Sequence, residues 1–509
     1  MRAVNIYILT RLLNSNLYSY YEKALSLRDD EIKVRPEEID LIKALIANFK
    51  FHKTSFEIMD GWFYSFIIPQ IGKEFDLLKI DKKGTVVNLE LKSQPVLQEK
   101  IEKQLKQNRY YLSHIANTIY SFTYVKEDET VSQLYVYDNA LRKSSFEELI
   151  EKLSEINTPV TQNIELLFRP IDYLISPLNT PEKFLNGNYY LSAQQENIKK
   201  EIISSSEGIR SIWGITGSAG TGKTLLLYDL AKSLCNRSRV CIVHCGMLSD
   251  GHKYINSHIN GILVIDAKSL SEELIKNYSI VCVDETQRLY TSGLKIILEA
   301  FNSGIVETCV FSYDFAQVLS KAEQKRNNPQ KLNEMDGFQE RVLTDRIRTN
   351  KEVFSFIRNM MRLSDKPQKQ INYDNVDILY ANDNYEADTI SRSYMKNGYT
   401  FITFTPSRFV NHSIDHYSGY INSHQVIGQE FDHVVVVLDN SFRYSPEGIL
   451  QGREHPNPDY LFPHLFYQNI SRAREKLCII VLDNSDLFTK LLCIKEHVDV
   501  EGINSITIK

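Results

Sequence analysis

The stretch Gly217-Ser218-Ala219-Gly220-Thr221-Gly222-Lys223-Thr224 constrains this chain more than any other feature. It follows the apolar run Ser211–Thr216 and opens the apolar, helix-patterned segment Leu225–Leu234. It therefore occupies the turn between a strand and a helix, and such βα units assemble into parallel sheets. Glycines at this spacing let backbone N–H groups turn inward around phosphate oxygens, and the helix that follows adds the partial positive charge of its N-terminus. Gly217, Gly220 and Gly222 are expected to line the cradle, Lys223 to bridge the outer phosphates of ATP, and Thr224 to offer its hydroxyl to Mg²⁺.

Downstream, the apolar run Ser279-Ile280-Val281-Cys282-Val283 ends in Asp284-Glu285-Thr286-Gln287-Arg288. A carboxylate pair at the C-terminal edge of a strand is where a metal ion and an attacking water are held beside a phosphate cradle. Asp284 is expected to support Mg²⁺, and Glu285 to take the proton of the nucleophilic water.

The 509 residues are enough for about three or four packed units. The composition, 43% hydrophobic and 24% charged, contains no apolar run of membrane-spanning length, so a membrane protein is not expected. Met1–Asn16 lacks the pattern of a secretory signal, so a cytoplasmic location is expected. The seven cysteines form no C-x-x-C pair and sit mostly in strand-like apolar runs, as buried reduced thiols do. Net charge is −5, so nucleic-acid contact would need a local basic groove rather than overall basicity.

The pattern along the chain predicts an α/β protein. Residues 1–50 read as a helical lead-in, with Leu41, Ile42, Leu45, Ile46 and Phe49 at helical spacing. Residues 51–175 read as a small α/β domain: strands Phe63–Pro69, Glu74–Ile80 and Thr85–Lys92, a charged helix from Leu97 to about Asn117, a strand Gln133–Tyr137 and a helix Phe146–Ile156. Pro170, Pro177 and Pro181 mark a boundary. Two strand-loop-helix domains are expected beyond it, 176–350 and 351–509.

From about residue 190 onward the chain resembles the superfamily 1 helicases, among them a group of helicase-like ATPases with the D-E-x-Q-R form. Leu191-Ser192-Ala193-Gln194-Gln195 looks like the adenine-reading segment, with Gln195 the base contact. Ser312-Tyr313-Asp314-Phe315-Ala316-Gln317 resembles G-D-x-x-Q, where Gln317 would sense the γ-phosphate, although Tyr313 stands in place of glycine. Leu343-Thr344-Asp345-Arg346-Ile347-Arg348-Thr349 is similar to the motif whose arginine faces the nucleotide, and Arg348 is chosen over Arg346. Ser423-His424-Gln425 with Gly428-Gln429-Glu430-Phe431-Asp432 resembles H-x-x-x-G-x-E-F-D, which implies that Glu430 bonds the ribose. Gln468-Asn469-Ile470-Ser471-Arg472-Ala473-Arg474 looks like the T-R-A-R segment, with Arg472 as the arginine finger. The resemblance implies two RecA-like parallel-sheet lobes that close on ATP. Little room is left for the insertions many duplex-unwinding members carry, so translocation or switching is expected over robust unwinding.

A second site is legible in the N-terminal domain. If Lys82-Lys83-Gly84 form a hairpin loop with Gly84 left-handed, Asp81 pairs with Thr85, and counting outward sets Asp76 opposite Glu90 on one face, with Lys92 beyond it on the same side. Two carboxylates can hold Mg²⁺, with Mn²⁺ a second candidate, and a lysine beside them can orient water toward a phosphodiester. This arrangement resembles the PD-(D/E)XK nucleases, with Phe75 where their proline stands, and implies a restriction-endonuclease-like fold. Gln107-Asn108-Arg109-Tyr110-Tyr111 is similar to the Q-x-x-x-Y signature of helicase-associated members and implicates Gln107 and Tyr111. Glu57 is the candidate for the family's additional acidic residue.

Together these readings describe an ATP-dependent, nucleic-acid-processing enzyme, a nuclease fused to a helicase-like motor, with DNA favoured as partner. The resemblance further implies a place in bacterial anti-phage defence, with a second copy of the chain or another defence protein as partner. Two alternatives stay open: an ATP switch that restrains the nuclease without stepping, and a non-catalytic N-terminal binding module.

Overall fold

The structure is a computed structural model and describes residues 1–11, 20, 23–27, 36–68, 71–128, 131–168, 173, 175–206, 210–344, 350–367, 371–406, 417, 419–452 and 460–498. The chain forms two compact units, Met1–Tyr173 and Leu174–Lys509.

In the first unit a six-stranded sheet runs in sequence order through β1 (Phe63–Ile67), β2 (Glu74–Ile80), β3 (Thr85–Lys92), β4 (Thr118–Lys126), β5 (Ser132–Tyr137) and β6 (Leu141–Ser144). Neighbours are antiparallel except β3 and β4, which are parallel and joined by the helix Gln98–Leu112. Strand β4 is not among the expected elements; the helix ends early and the chain turns back into the centre of the sheet. The helix Pro36–Phe51 packs Ile42, Leu45, Ile46 and Phe49 into the same core as Leu77, Val87, Leu89 and Phe122. Between β2 and β3, Gly84 has φ +88°, its N–H bonds the Asp81 carbonyl at 3.0 Å, and the Asp81 N–H bonds the Thr85 carbonyl at 2.8 Å. The Asp81 carboxylate accepts the Lys83 N–H at 2.7 Å, which fixes the turn from inside. The register Ile80↔Val86 and Leu77↔Leu89 follows, as counted from the turn.

The second unit holds two parallel sheets, as RecA-like lobes do. In the first, the order is β12 (Phe338–Leu343), β7 (Ser211–Gly217), β11 (Thr308–Tyr313), β10 (Ile280–Asp284), β8 (Val240–His244) and β9 (Ile262–Asp266). Its inner strands β7, β11, β10 and β8 are buried on both faces because both are covered, whereas the edge strand β12 is polar and partly exposed. Trp213, Ile215, Ile242 and Cys282 point into one core, while Ile212, Cys241, Val243 and Val283 point into the other. The second sheet has the order β13 (Val376–Ala381), β18 (Ala473–Leu482), β15 (Phe431–Leu438) and β14 (Thr400–Phe401), with a small ribbon of β16 (Arg443–Tyr444) and β17 (Leu450–Gln451) beside it. Leu319, which follows the first lobe's last 3₁₀ turn, is buried in the second lobe's core, and its carbonyl accepts the Leu461 N–H at 2.8 Å. The lobes are thus stitched together beside the loops at the C-terminal ends of β10 and β11. Among the described residues no helix is long and apolar enough to cross a membrane.

Candidate nucleotide site and an N-terminal carboxylate pair

The phosphate-cradle sequence forms the turn from β7 into the helix Lys223–Leu234. Gly220 and Gly222 have φ of +80° and +83°, which L side chains rarely adopt. A Cβ at Gly217 would lie 2.7 Å from the Leu343 carbonyl, so β12 and the loop can meet only at a glycine. Lys223 is buried; its ammonium donates to the carbonyls of Gly217 (2.6 Å) and Ser218 (3.0 Å) and stands 3.6 Å from Asp314 Oδ2.

Strand β10 carries Asp284 to the mouth of this loop. Thr224 Oγ1 is 3.4 and 3.3 Å from its two oxygens, and the Ser312 hydroxyl, from β11, donates to Oδ1 at 2.6 Å. Burial works to raise the Asp284 carboxyl, yet the His244 ring, 3.4 Å from Oδ2, and Ser312 hold it below its ordinary range. A hydroxyl and a carboxylate at this separation are hard oxygen donors of the kind Mg²⁺ takes, so the residues fit the ion the motif implies. Glu285 follows with φ +60°, a left-handed conformation that is strained for a residue with a Cβ. Its Oε2 accepts the Gln287 amide at 2.6 Å and lies 3.6 Å from Arg288 Nε.

The second lobe reaches this place through Arg472, which is buried at the start of β18. Its Nη2 donates to Gln317 Oε1 at 2.8 Å and to Gln468 Oε1 at 3.1 Å, and its Nη1 donates to the Gln429 carbonyl at 3.3 Å. Burial pulls this guanidinium below its ordinary range against the opposing pull of the Glu285 and Glu430 carboxylates. Arg472, Gln317, Glu285 and Lys223 are therefore brought together across the lobes. Glu430 is held by its backbone, whose carbonyl accepts the Asn179 amide. Gln195 is buried: its Oε1 accepts the Ser192 N–H at 2.9 Å, and its amide donates to the carbonyls of Thr221 (3.2 Å) and Gly222 (3.4 Å). Gln195, the expected adenine contact, here braces the phosphate loop. Arg348, like Arg346, lies outside the described residues.

In the first unit the hairpin register brings Asp76 to Glu90. The Lys92 ammonium stands 3.9 Å from Asp76 Oδ2 and 3.7 Å from Glu90 Oε2, and Asp76 Oδ2 accepts the Leu91 N–H at 2.7 Å. Glu90 is 1% exposed. The helix Gln98–Leu112 grips it with two amides: Asn108 Nδ2 donates to Oε1 at 2.7 Å, and Gln104 Nε2 to Oε2. Gln107, the expected residue of this helix, is not one of these two partners. Ile101, Leu105, Asn108 and Leu112 lie in the buried stripe of the helix, and Gln104 and Asn108, four residues apart, share the face that meets Glu90. Tyr111 packs instead against Tyr110 and Tyr173, with ring centroids 5.3 and 5.1 Å away. Glu57 is exposed on the 3₁₀ turn Phe56–Met59, where its carbonyl accepts the Lys79 ammonium at 3.3 Å. Among the described residues no group of three or more acidic, histidine or cysteine side chains is placed so that it could hold a metal ion. Burial and the neighbouring Asp76 push the Glu90 carboxyl up to about 8, opposed by Lys73, Lys92 and the Asn108 amide. Lys73, which the sequence reading passed over, is a second lysine in this field; burial lowers it against the pull of Glu90 and Asp76.

Residues 210–401 match a family model described as Schlafen group 3, DNA/RNA helicase domain, so this stretch is helicase-like. Among solved structures, the chain is similar to a Pif1 helicase from Bacteroides in complex with ADP-AlF3 and ssDNA, at 15% identity over 57% of this chain and 92% of that one, with a TM-score of 0.32. It is also similar to Bacteroides sp Pif1 in complex with ADP-AlF4, at 14% identity over 60% of this chain and 98% of that one, with a TM-score of 0.30. A search of the curated proteins found no match.

Proposed function

We propose that the unit Leu174–Lys509 is an ATP-hydrolysing, helicase-like motor that acts on nucleic acid, built from lobes over residues 176–350 and 351–509. The observation that carries this is the buried joint in which Arg472 of one lobe bonds Gln317 of the other, beside Glu285 and the Lys223 loop. Loop amides and Lys223 would hold the phosphates. Thr224 and Asp284 would hold Mg²⁺, which when bound neutralises charge on the phosphate oxygens. In hydrolysis a water oxygen bonds to the γ-phosphorus, the bond from that phosphorus to the bridging oxygen of ADP breaks, and the water's proton passes to Glu285. Arg472 and Gln317 offer donors to the γ-phosphoryl oxygens where charge develops. Because the donors sit on both lobes, hydrolysis is tied to their closing, and two lobes that open and close on a strand would move along it. Glu430 is the proposed ribose contact, and Arg348 a further cation facing the nucleotide. The experiment is phosphate release by the full chain with Mg²⁺, alone and with single-stranded DNA, duplex DNA or RNA. Stimulation by one of these is expected, DNA first, and turnover indifferent to all of them would overturn the nucleic-acid part.

For residues 51–175 we propose a metal-dependent nuclease of the PD-(D/E)XK kind, fed or licensed by the motor, in the setting of anti-phage defence. Asp76 and Glu90 offer two carboxylates on one face, each able to lend an oxygen to Mg²⁺ or Mn²⁺, and Lys92 lies beside both, where it can orient a water. A second reading, a binding module without catalysis, is favoured by one observation: both Glu90 oxygens already accept side-chain amides. Cleavage assays on DNA and RNA with Mg²⁺ and Mn²⁺ separate the two. Cutting that Glu90→Ala or Lys92→Ala abolishes while ATP turnover survives supports the nuclease, and a wild-type chain that cuts nothing supports the module.

A further inference from the structure

Arg288 has no part in the chemistry above, yet its side chain is tied to two of its participants, Glu285 and Gln317, and to Gln468 of the other lobe. It is the last residue of the 3₁₀ turn Thr286–Arg288 and its side chain is 4% exposed. The turn is pinned from behind, where Asn328 Nδ2 donates to the carbonyls of Thr286 (3.0 Å) and Leu289 (2.7 Å), and Arg326 donates to the carbonyl of Arg288 itself at 3.3 Å. The guanidinium then spans a gap. Its Nε stands 3.6 Å from Glu285 Oε2, and its Nη2 donates to the Gln317 carbonyl at 3.2 Å and, in the other lobe, to Gln468 Oε1 at 3.3 Å. That same Gln468 oxygen accepts Arg472 Nη2 at 3.1 Å.

We propose that Arg288 is a positioning residue for ATP hydrolysis, which holds the Glu285 carboxylate in line only while Gln468 of the second lobe is seated on it. This rests on the reading of the unit as an ATPase. A general base must lie within hydrogen-bond reach of the water it deprotonates, and misplacement by about an ångström costs on the order of 100-fold in rate. Glu285 starts from a strained backbone, so its side chain needs external fixing. Gln287 supplies a fixed part of that hold from within the first lobe. Arg288 supplies a conditional part, because the rigid guanidinium fork that faces Glu285 with one nitrogen is anchored to both lobes with another. When the lobes part, Gln468 withdraws and takes one anchor with it. Two guanidinium atoms, Nε and Nη1, make no hydrogen bond among the described residues although both are buried. A fork satisfied on one side only is set up to shift when that side lets go.

The test uses the full chain carrying Arg288→Lys, Arg288→Gln, Gln468→Leu, or Arg288→Lys with Gln468→Leu, beside wild type and Glu285→Gln. Turnover, KM, affinity for a fluorescent ATP analogue and melting temperature are read for each. Arg288→Lys and Gln468→Leu are each expected to lower kcat by about 10- to 100-fold, with analogue affinity and KM within about twofold. In the Gln468→Leu background, Arg288→Lys should cost almost nothing further, because its partner is already gone. The proposal is overturned if Arg288→Lys and Arg288→Gln turn over at the wild-type rate, if the two losses multiply, or if analogue affinity falls as much as kcat. A wild-type chain without ATP turnover removes the ATPase reading and this one with it. Turnover abolished by Glu285→Gln but untouched at Arg288 removes only the role of Arg288.

Discussion

Replacing Glu90 by glutamine should make the first unit more stable above neutral pH, although it removes a charge that three neighbours contact. Glu90 is buried beside Asp76, and its carboxyl is pushed up to about 8 from an ordinary value of 4.5. Between those values the folded chain keeps a proton that the unfolded chain has lost. Stability from this group is therefore fully present below pH 4.5 and drains away as pH rises toward 8. At about 1.4 kcal/mol per pH unit, the loss accumulated by pH 7 is on the order of 3 kcal/mol. Glutamine has the shape of the protonated acid, and Gln104 and Asn108 can each turn an amide over to match it. Glu90→Gln should thus leave stability unchanged near pH 4.5 and raise it by about 3 kcal/mol at pH 7. The chain has two tryptophans, Trp62 in the core of the first unit and Trp213 in the second. In a Trp213→Phe background, Trp62 fluorescence during urea unfolding in EDTA therefore reports the first unit alone. A variant that is no more stable than its parent at pH 8, with the same slope against pH, would refute the reasoning.

Glu285→Gln should bind nucleotide normally and hydrolyse it about 100- to 10,000-fold more slowly, whereas Lys223→Ala should lose the phosphate grip itself; single-turnover and binding measurements check both, and near-normal turnover by either contradicts the site. A Cβ on Gly251 would lie 1.9 Å from the Leu178 carbonyl. Gly251→Ala should accordingly destabilise the second unit by about 2 kcal/mol or more, read from the Trp213 transition. Burial, reinforced by His244, lowers His252 from 6.5 to about 3, so the folded protein keeps it neutral while the unfolded chain takes up a proton below 6.5. Its contribution is present above that pH and is lost as pH falls toward 3. His252→Gln keeps the capping acceptor that bonds the Ser249 N–H, and its stability relative to wild type should improve steadily from pH 7 to pH 4.5 in denaturant titrations.

What the sequence disclosed follows the range of the forces involved. The phosphate loop and the Asp284-Glu285 pair are legible because their geometry is set within a few residues, by glycine φ angles and a strand end. The β2–β3 register is legible because one turn, Asp81 to Thr85, determines every pairing outward. Strand β4 was legible in principle: Tyr120, Phe122 and Tyr124 alternate with smaller residues, but the charged helix was expected to run to about Asn117 rather than to end at Leu112, and no strand was expected directly after it. Gln104 and Asn108 were hidden by helix phase, and the available signal was an asparagine in the apolar stripe of Ile101, Leu105 and Leu112. Arg288 and Gln468 lie 180 residues apart, and no local pattern announces a bond that exists only after two lobes have folded and met.

That one nucleotide site is completed from two lobes is put to the sharpest test by Arg472→Ala. The measurement is the rate of ATP cleavage in a single turnover, with the enzyme saturated and nucleotide affinity determined in parallel. Affinity is expected within about threefold of wild type, with cleavage slower by about 1,000-fold or more, the worth of an arginine finger. Cleavage within tenfold of wild type would mean that the first lobe works alone, and would contradict a two-lobe site.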